Sequence, residues 1–229
     1  MNMKYHTPVF DNISEEKRRS VLNAASIEFA AFGYSAANIN TIAKKAGVSI
    51  GSIYKYFSTK ENLFLTVCAQ SVTLLTKTLD AVMREEGTFY EKVETLLRII
   101  QVHSREQSVM INLYNEITTE GNKELVTKLT CQMESVSTRC YALMIEEGQK
   151  TGCIDPDIDV DVFAFHLDNL FMSLQFSYAS EYYKERMKVF IGNEVFTDDE
   201  ILIEHTMDFI RRAFSPKQRV SEVKNLSQS

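Results

Sequence analysis

Apolar residues recur along this chain at steps of three and four, the spacing that lines one face of an α-helix. Between Ser14 and Phe32 the stripe is Val21, Leu22, Ala25, Phe29 and Phe32. Ser14 is placed to cap this helix, Glu15 and Glu16 suit the positive end of its dipole, and Gly33 can end it. Asn38 is placed to cap a helix of about two turns that stops at Gly47, and Ser49 opens another short one over 49–57. A fourth helix is expected from Ser58, which pairs with Glu61 as a capping box, to about Glu86 before Gly87. Further helices are expected over 90–105, 108–119, 123–150, 159–180 and 198–214, punctuated by Gly121, the stretch 148–156 and Gly192. Residues 197–200 read as a second capping box. No segment alternates with the period of a strand, so the pattern predicts an all-α chain. The polar stretch after Pro216 is expected to fray.

Composition agrees and adds bounds. Only eight Gly and three Pro occur in 229 residues, which leaves few turn signals, and an apolar fraction of 45% is ample for a core. No apolar run reaches the roughly 18–20 residues that span a bilayer. The N-terminus lacks the apolar core and small-residue cleavage site of a signal peptide. A cytoplasmic protein without membrane contact is therefore expected. None of Cys68, Cys131, Cys140 and Cys153 is spaced C-x-x-C, and no neighbouring His completes a zinc pattern. Reduced thiols and no metal or other cofactor are expected; Cys131 and Cys140 fall on opposite faces of one helix.

Charge changes the picture once it is divided. The net charge of −6 argues against a nucleic-acid partner. Yet residues 1–60 hold eight Lys/Arg and four Asp/Glu, a net +4, and the rest of the chain holds 17 and 27, a net −10. The basic part contains two short helices joined by a tight turn with Gly47, the helix-turn-helix arrangement. Ala43 and Ala46 allow close approach there, and Val48 and Ile53 can plug the junction.

The segment 38–63 (NINTIAKKAGVSIGSIYKYFSTKENL) resembles the DNA-binding signature of TetR-family transcriptional regulators. The elements that carry the likeness are Ile42-Ala43, Ala46-Gly47-Val48-Ser49, Tyr54-x-x-Phe57 and Lys60-Glu61-x-Leu63. It extends back through Ala24, Ala25, Phe29 and Gly33-Tyr34 and covers about 50 residues. The resemblance implies a helix-turn-helix domain over 1–60, a ligand-binding and dimerisation domain over 61–215, and a tail over 216–229. It implies DNA contact from Asn38, Asn40, Ser49, Ile50, Gly51, Ser52, Tyr54, Lys55, Tyr56 and Lys60. Ile50, Gly51, Ser52 and Lys55 would face the major groove, where Ile50 can pack on a thymine methyl and Lys55 can reach a guanine edge or a phosphate. Tyr54, Tyr56 and Lys60 would touch phosphates, and Asn38 and Asn40 the backbone. Ile53 and Phe57 are expected in the core. Lys44 and Lys45 are either a solvated face or phosphate contacts.

The helix expected over 159–180 is apolar around much of its circumference, through Val160, Phe163, Leu167, Leu170, Phe171 and Leu174 and further through Val162, Phe165, Met172 and Phe176. Such a helix is buried on more than one side. By the resemblance it packs with the last helix into a four-helix bundle across a two-fold axis. Phe163, Leu167, Leu170, Phe171, Leu174, Ile203, Met207, Ile210 and Phe214 are the expected interface. His166, Asn169, Ser173 and Ser177 form a polar stripe that is either a solvent edge or aimed into a pocket, and His103 is either a core histidine or a ligand contact. Met and aromatic residues adapt to apolar ligands, so Phe89, His103, Met110, Tyr114, Phe165, Asn169 and Met172 are expected to line a pocket for a hydrophobic or amphipathic small molecule.

The resulting expectation is a homodimeric repressor released from a palindromic operator in double-stranded DNA by a small-molecule effector. The alternative is an activator, or a regulator controlled by a protein partner. An all-α enzyme or metal protein is the rival of another class. It would need a nucleophile–base pair or a Glu-x-x-His motif; no His has Glu three residues before it, and no enzyme is expected.

Overall fold

The computed structural model describes residues 4–106, 108–119 and 123–216. Among the described residues the chain is helical throughout, without a strand. The N-terminal elements are α1 (Pro8–Asp11), α2 (Glu15–Ala36), α3 (Ile39–Lys45) and α4 (Ile50–Phe57). The rest comprises α5 (Lys60–Arg84), α6 (Phe89–Glu106), α7 (Ser108–Thr119), α8 (Lys123–Lys150), α9 (Val160–Ala179), α10 (Glu181–Thr197) and α11 (Asp199–Phe214). Helices α7 and α8 match the expected limits. Two elements are absent from the sequence reading. Helix α1 is a single turn with little periodicity, and α10 is interrupted at Gly192, whose φ of 79° breaks its register.

Local chemistry explains most boundaries. The Ser14 side chain accepts from the Lys17 amide at 3.3 Å, and Gly33 at φ 68°, ψ 172° interrupts α2 as expected. Gly47 sits at φ 67° between α3 and α4. Both anticipated capping boxes are corrected by one residue. Thr59, not Ser58, caps α5 by accepting from the Asn62 amide at 3.0 Å. Ser58 instead closes α4 at φ 62°. Asp198, not Thr197, caps α11 by accepting from the amides of Glu200 and Ile201. In each case the neighbour's side chain or backbone was already committed to ending the preceding helix; the Thr197 hydroxyl donates back to the Asn193 and Glu194 carbonyls.

Two cores organise the molecule. The first joins α1–α4 to the start of α5 through Phe10, Phe29, Ile53, Phe57, Phe64 and Val67, and includes Leu113 of α7. The first core runs past residue 60: Leu63, Phe64, Leu65, Val67 and Cys68 belong to it. The second core joins the remainder of α5 to α6, α8, α9 and α11. Cys68 and Cys140 are buried thiols, pushed by burial to about 12 and about 11, far from the thiolate form. The side chain of Cys131 lies outside what the structure describes, as do Gly121 and the tail from residue 217.

This second core takes up most of the expected dimer face. Leu167, Phe171, Leu174, Ile203, Met207, Ile210 and Phe214 are all buried within the chain, and Phe163 and Leu170 are half-buried against the same core. The strongest apolar stripe of each helix serves its own domain: Phe214 stacks on Phe89 at 5.3 Å between ring centres and meets Phe163 edge-on at 5.0 Å. Apolar residues left outward on these two helices include Val162, Phe165 and Phe209, with Phe165 64% exposed. Among the described residues no helix is long and apolar enough to cross a membrane.

Candidate nucleic-acid interface and ligand cavity

Helix α4 has two faces. Ile53, Tyr56 and Phe57 are buried, while Ile50, Gly51, Tyr54 and Lys55 are exposed together on the opposite side. Steps of one, three and one residue keep these four on one face of a helix. Ser49 caps the helix by accepting from the Ser52 amide at 3.0 Å, and its hydroxyl lies 2.8 Å from that of Ser52. Both serines are thus engaged in opening the helix, next to the outward face. Asn38 caps α3 by accepting from the Asn40 amide at 2.8 Å, and both side chains are exposed. Lys60 donates to the Ser35 carbonyl at 3.1 Å and lies over the Tyr34 ring.

One expected contact is withdrawn. Tyr56 is 6% exposed, with its ring 5.6 Å from Phe10 and 6.2 Å from Phe57. The cause is α1, invisible in the sequence pattern, which closes over that side of α4. Thr7 secures this contact: its amide donates to the Tyr56 carbonyl at 2.8 Å and its hydroxyl to the Lys55 carbonyl at 2.8 Å.

A residue missed by sequence reasoning holds the head together. The Glu28 carboxylate, buried in α2, accepts from the Asn38 amide at 3.2 Å and from Lys45 Nζ at 3.3 Å. It neutralises an orphan donor at the start of α3 and a cation at its end, which fixes the angle between α2 and the helix-turn-helix. Its position on the apolar stripe beside Ala25 and Phe29 was the available signal. Lys45 is therefore a structural partner of Glu28, while Lys44 is exposed.

Gly51 offers a clean separation of folding from reading. A Cβ there would meet only Ser49 Oγ at 3.8 Å. Gly51→Ala is expected to stabilise the free protein by about 0.5–1 kcal/mol while lowering DNA affinity by about tenfold or more, since the added methyl stands on the outward face. Thermal melts and gel shifts on the same preparation check both signs.

Between α5, α6, α7, α8 and α9 lies a cavity of about 420 Å³, within the range of small-molecule sites. Of the expected lining residues, His103, Tyr114 and Met172 border it. The side chain of Met110 lies outside the described residues. Phe89, Phe165 and Asn169 are corrections. Phe89 is buried in the second core against Phe214, Phe165 points outward, and the Asn169 amide donates back to the Phe165 carbonyl at 2.7 Å. All three fall on faces of α6 or α9 turned from the cavity. In the stripe His166, Asn169, Ser173 and Ser177, no member borders it either; α9 instead presents Asp168, Phe171, Met172 and Gln175.

The polar groups of the wall include two carboxylates, Glu134 and Asp168. Tyr114 donates its hydroxyl to Glu134 Oε1 at 2.8 Å and approaches Met172 Sδ at 3.1 Å. Burial and the Glu134 carboxylate hold the Tyr114 hydroxyl well above its ordinary range, so it stays protonated. Asp168 is raised to about 6 by burial first and then by the Glu134 carboxylate, and a hydrogen bond from Ser137 partly offsets this. Neither carboxylate was singled out from sequence, because one charged residue on a long helix reads as a solvated position.

Residues 21–67, spanning most of α2, the helix-turn-helix and the start of α5, match the family model of bacterial regulatory proteins, tetR family. The chain belongs to the TetR family. It is 28% identical over 173 residues to the uncharacterized HTH-type transcriptional regulator YhgD of Bacillus subtilis, covering 74% of this chain and 88% of the relative. It is 25% identical over 163 residues to the probable acrEF/envCD operon repressor of Escherichia coli, covering 69% and 73%. Two solved TetR-like structures share the fold. FadR from Bacillus subtilis in complex with stearoyl-CoA superposes with a TM-score of 0.65 at 18% identity, covering 84% of this chain and 96% of that one. A putative regulator from Saccharomonospora viridis in complex with choline gives 0.69 at 22%, covering 88% and 98%. Like other TetR-family members, this chain is a DNA-binding transcriptional regulator, built as a helix-turn-helix head on a helical body.

Proposed function

We propose that this TetR-family chain is a homodimeric, cytoplasmic repressor that leaves a palindromic operator when a small molecule fills the cavity. The observation that carries this reading is the sharing of two helices between head and cavity. Helix α5 contributes Leu63, Phe64 and Val67 to the first core and Ser71, Leu75 and Leu79 to the cavity wall or its border. Helix α7 contributes Leu113 to the first core and Ile111 and Tyr114 to the wall, and lies along α2. A ligand that parts these helices must therefore tilt the head. It acts only through its different affinity for the DNA-bound and free arrangements. The repressor name of one relative and the ligands of two structural neighbours support the same reading. So does the charge pattern, a basic head on an acidic body.

In the dimer, outward Val162 and Phe165 of α9 and Phe209 of α11 meet their copies, and two α4 helices enter successive major grooves roughly 34–36 Å apart. The reading is tested by gel shift against the gene's own upstream DNA together with sedimentation. Salt-sensitive, sequence-selective binding by a dimer is expected. Phe165→Glu is expected to give folded monomers whose operator affinity is about 100-fold lower, because one half-site loses its link to the other. A wild-type protein that binds all DNA equally, or a Phe165→Glu protein that remains a full-affinity dimer, would sink the respective part.

A further inference from the structure

The cavity wall carries an imbalance that the repressor reading does not use. Glu134 and Asp168 both border it, close enough for the Glu134 charge to act on Asp168. Among the described residues, the hydrogen bonds they draw on within the cavity come from neutral hydroxyls, Tyr114 and Ser137. Apart from His103, no described residue of the wall can carry a positive charge. Ionised carboxylates enclosed by apolar surface are costly unless a cation faces them. A second, separate observation points to a guest in the same cavity. The Ser104 hydroxyl, 1% exposed and also on the wall, has no hydrogen-bond partner among the described residues. An unpaired buried hydroxyl is rare and marks a place where a partner is missing.

We propose that the cavity takes a lipophilic organic ammonium: an N–H-bearing cation set against Glu134 and Asp168, its hydrocarbon against Leu75, Ile100 and Phe171. Ser104 accepts from the same head group, and the Tyr114 and Tyr141 rings supply faces that attract a cation. A neutral guest would leave the carboxylate repulsion in place, and a carboxylate or phosphate guest would add to it. An acyl thioester carrying phosphates, such as the one bound by a structural neighbour of this chain, is the wrong charge for this wall. The proposal rests on the cavity being the effector site of the proposed repressor.

The test is a charge series on one hydrocarbon frame: 4-tert-butylbenzylamine, 4-tert-butylbenzyl alcohol and 4-tert-butylbenzoate, titrated calorimetrically into the full-length protein without DNA at about pH 7.5. The ammonium is expected to bind about tenfold or more tighter than the alcohol, and the benzoate about tenfold or more weaker than it. Asp168→Asn is expected to lose about tenfold for the ammonium and to leave the alcohol within about threefold. Glu134→Gln gives a second, independent reading of the same loss, and thermal melts establish that each variant is folded. Equal binding of all three, tighter binding of the benzoate, no binding of any, or an unchanged preference in both variants overturns the proposal. The same compounds are then added to the protein–operator complex. An ammonium that binds in the predicted order yet releases no DNA sinks the release reading and sustains the charge preference; release by the benzoate alone does the reverse.

Discussion

Replacing Phe64 by alanine is expected to lower the unfolding free energy by about 3–5 kcal/mol, the cost of removing a fully packed aromatic ring. The ring is 2% exposed and meets Phe29 edge-on at 4.8 Å and Tyr34 at 5.1 Å. It is the point where α5 enters the first core, so the void would open between α2 and α5 rather than at a surface that could collapse. A domain of this kind has about 5–15 kcal/mol in total, so the loss is a large share. Because the damage lies in the first core, DNA affinity should fall with it while the cavity, walled chiefly by the second core, keeps its ligand. Urea unfolding followed by circular dichroism, with calorimetric ligand binding, checks both parts. A loss below about 1 kcal/mol would mean that Phe64 is not the keystone its packing indicates. Phe64→Leu, which fills most of the space, should recover the larger part.

Asp168→Asn is expected to act in the opposite direction, stabilising the ligand-free protein near neutral pH by on the order of 3 kcal/mol. The carboxyl titrates at its ordinary 3.8 in the unfolded chain and at about 6 in the fold. Between these values the folded protein holds a proton that the unfolded chain has released. Stability therefore falls as pH rises through that window, and the full cost is present above about 6. Below about 4 both states are protonated and the substitution is expected to be neutral. A series of melts from pH 4 to about pH 8 is the measurement; wild type and variant should diverge as pH rises. Parallel curves would show that Asp168 is not held in the environment described. Together with its expected loss of ammonium binding, the gain in stability would mark Asp168 as a residue kept for a ligand at the expense of the fold.

Much of the architecture was legible because it is local. Caps at Ser14, Asn38 and Ser49 each need only the next two or three residues, and all three accept a backbone hydrogen bond of the expected type. The outward face of α4 was legible for the same reason, since Ile53 and Phe57 set which side turns inward. Tyr56 was misplaced because the element that covers it, α1, comes from a segment some 45 residues earlier with no periodicity of its own. The dimer stripe was misplaced for a different reason. Periodicity reports that a face is buried but not by what, and on α9 and α11 the answer is α6 and the neighbouring helices of the same chain.

The sequence by itself determined the helical class, the head that reads DNA, and the opposite charge of head and body. Each of these depends on neighbours within a turn or two, or on counting. Only the tertiary structure decided where the first core ends, that Glu28 clamps the head, and that Glu134 and Asp168 share one cavity. Glu134 and Asp168 stand 34 positions apart on α8 and α9. The field that each exerts on the other exists only once those helices pack side by side and exclude the water that would have screened it.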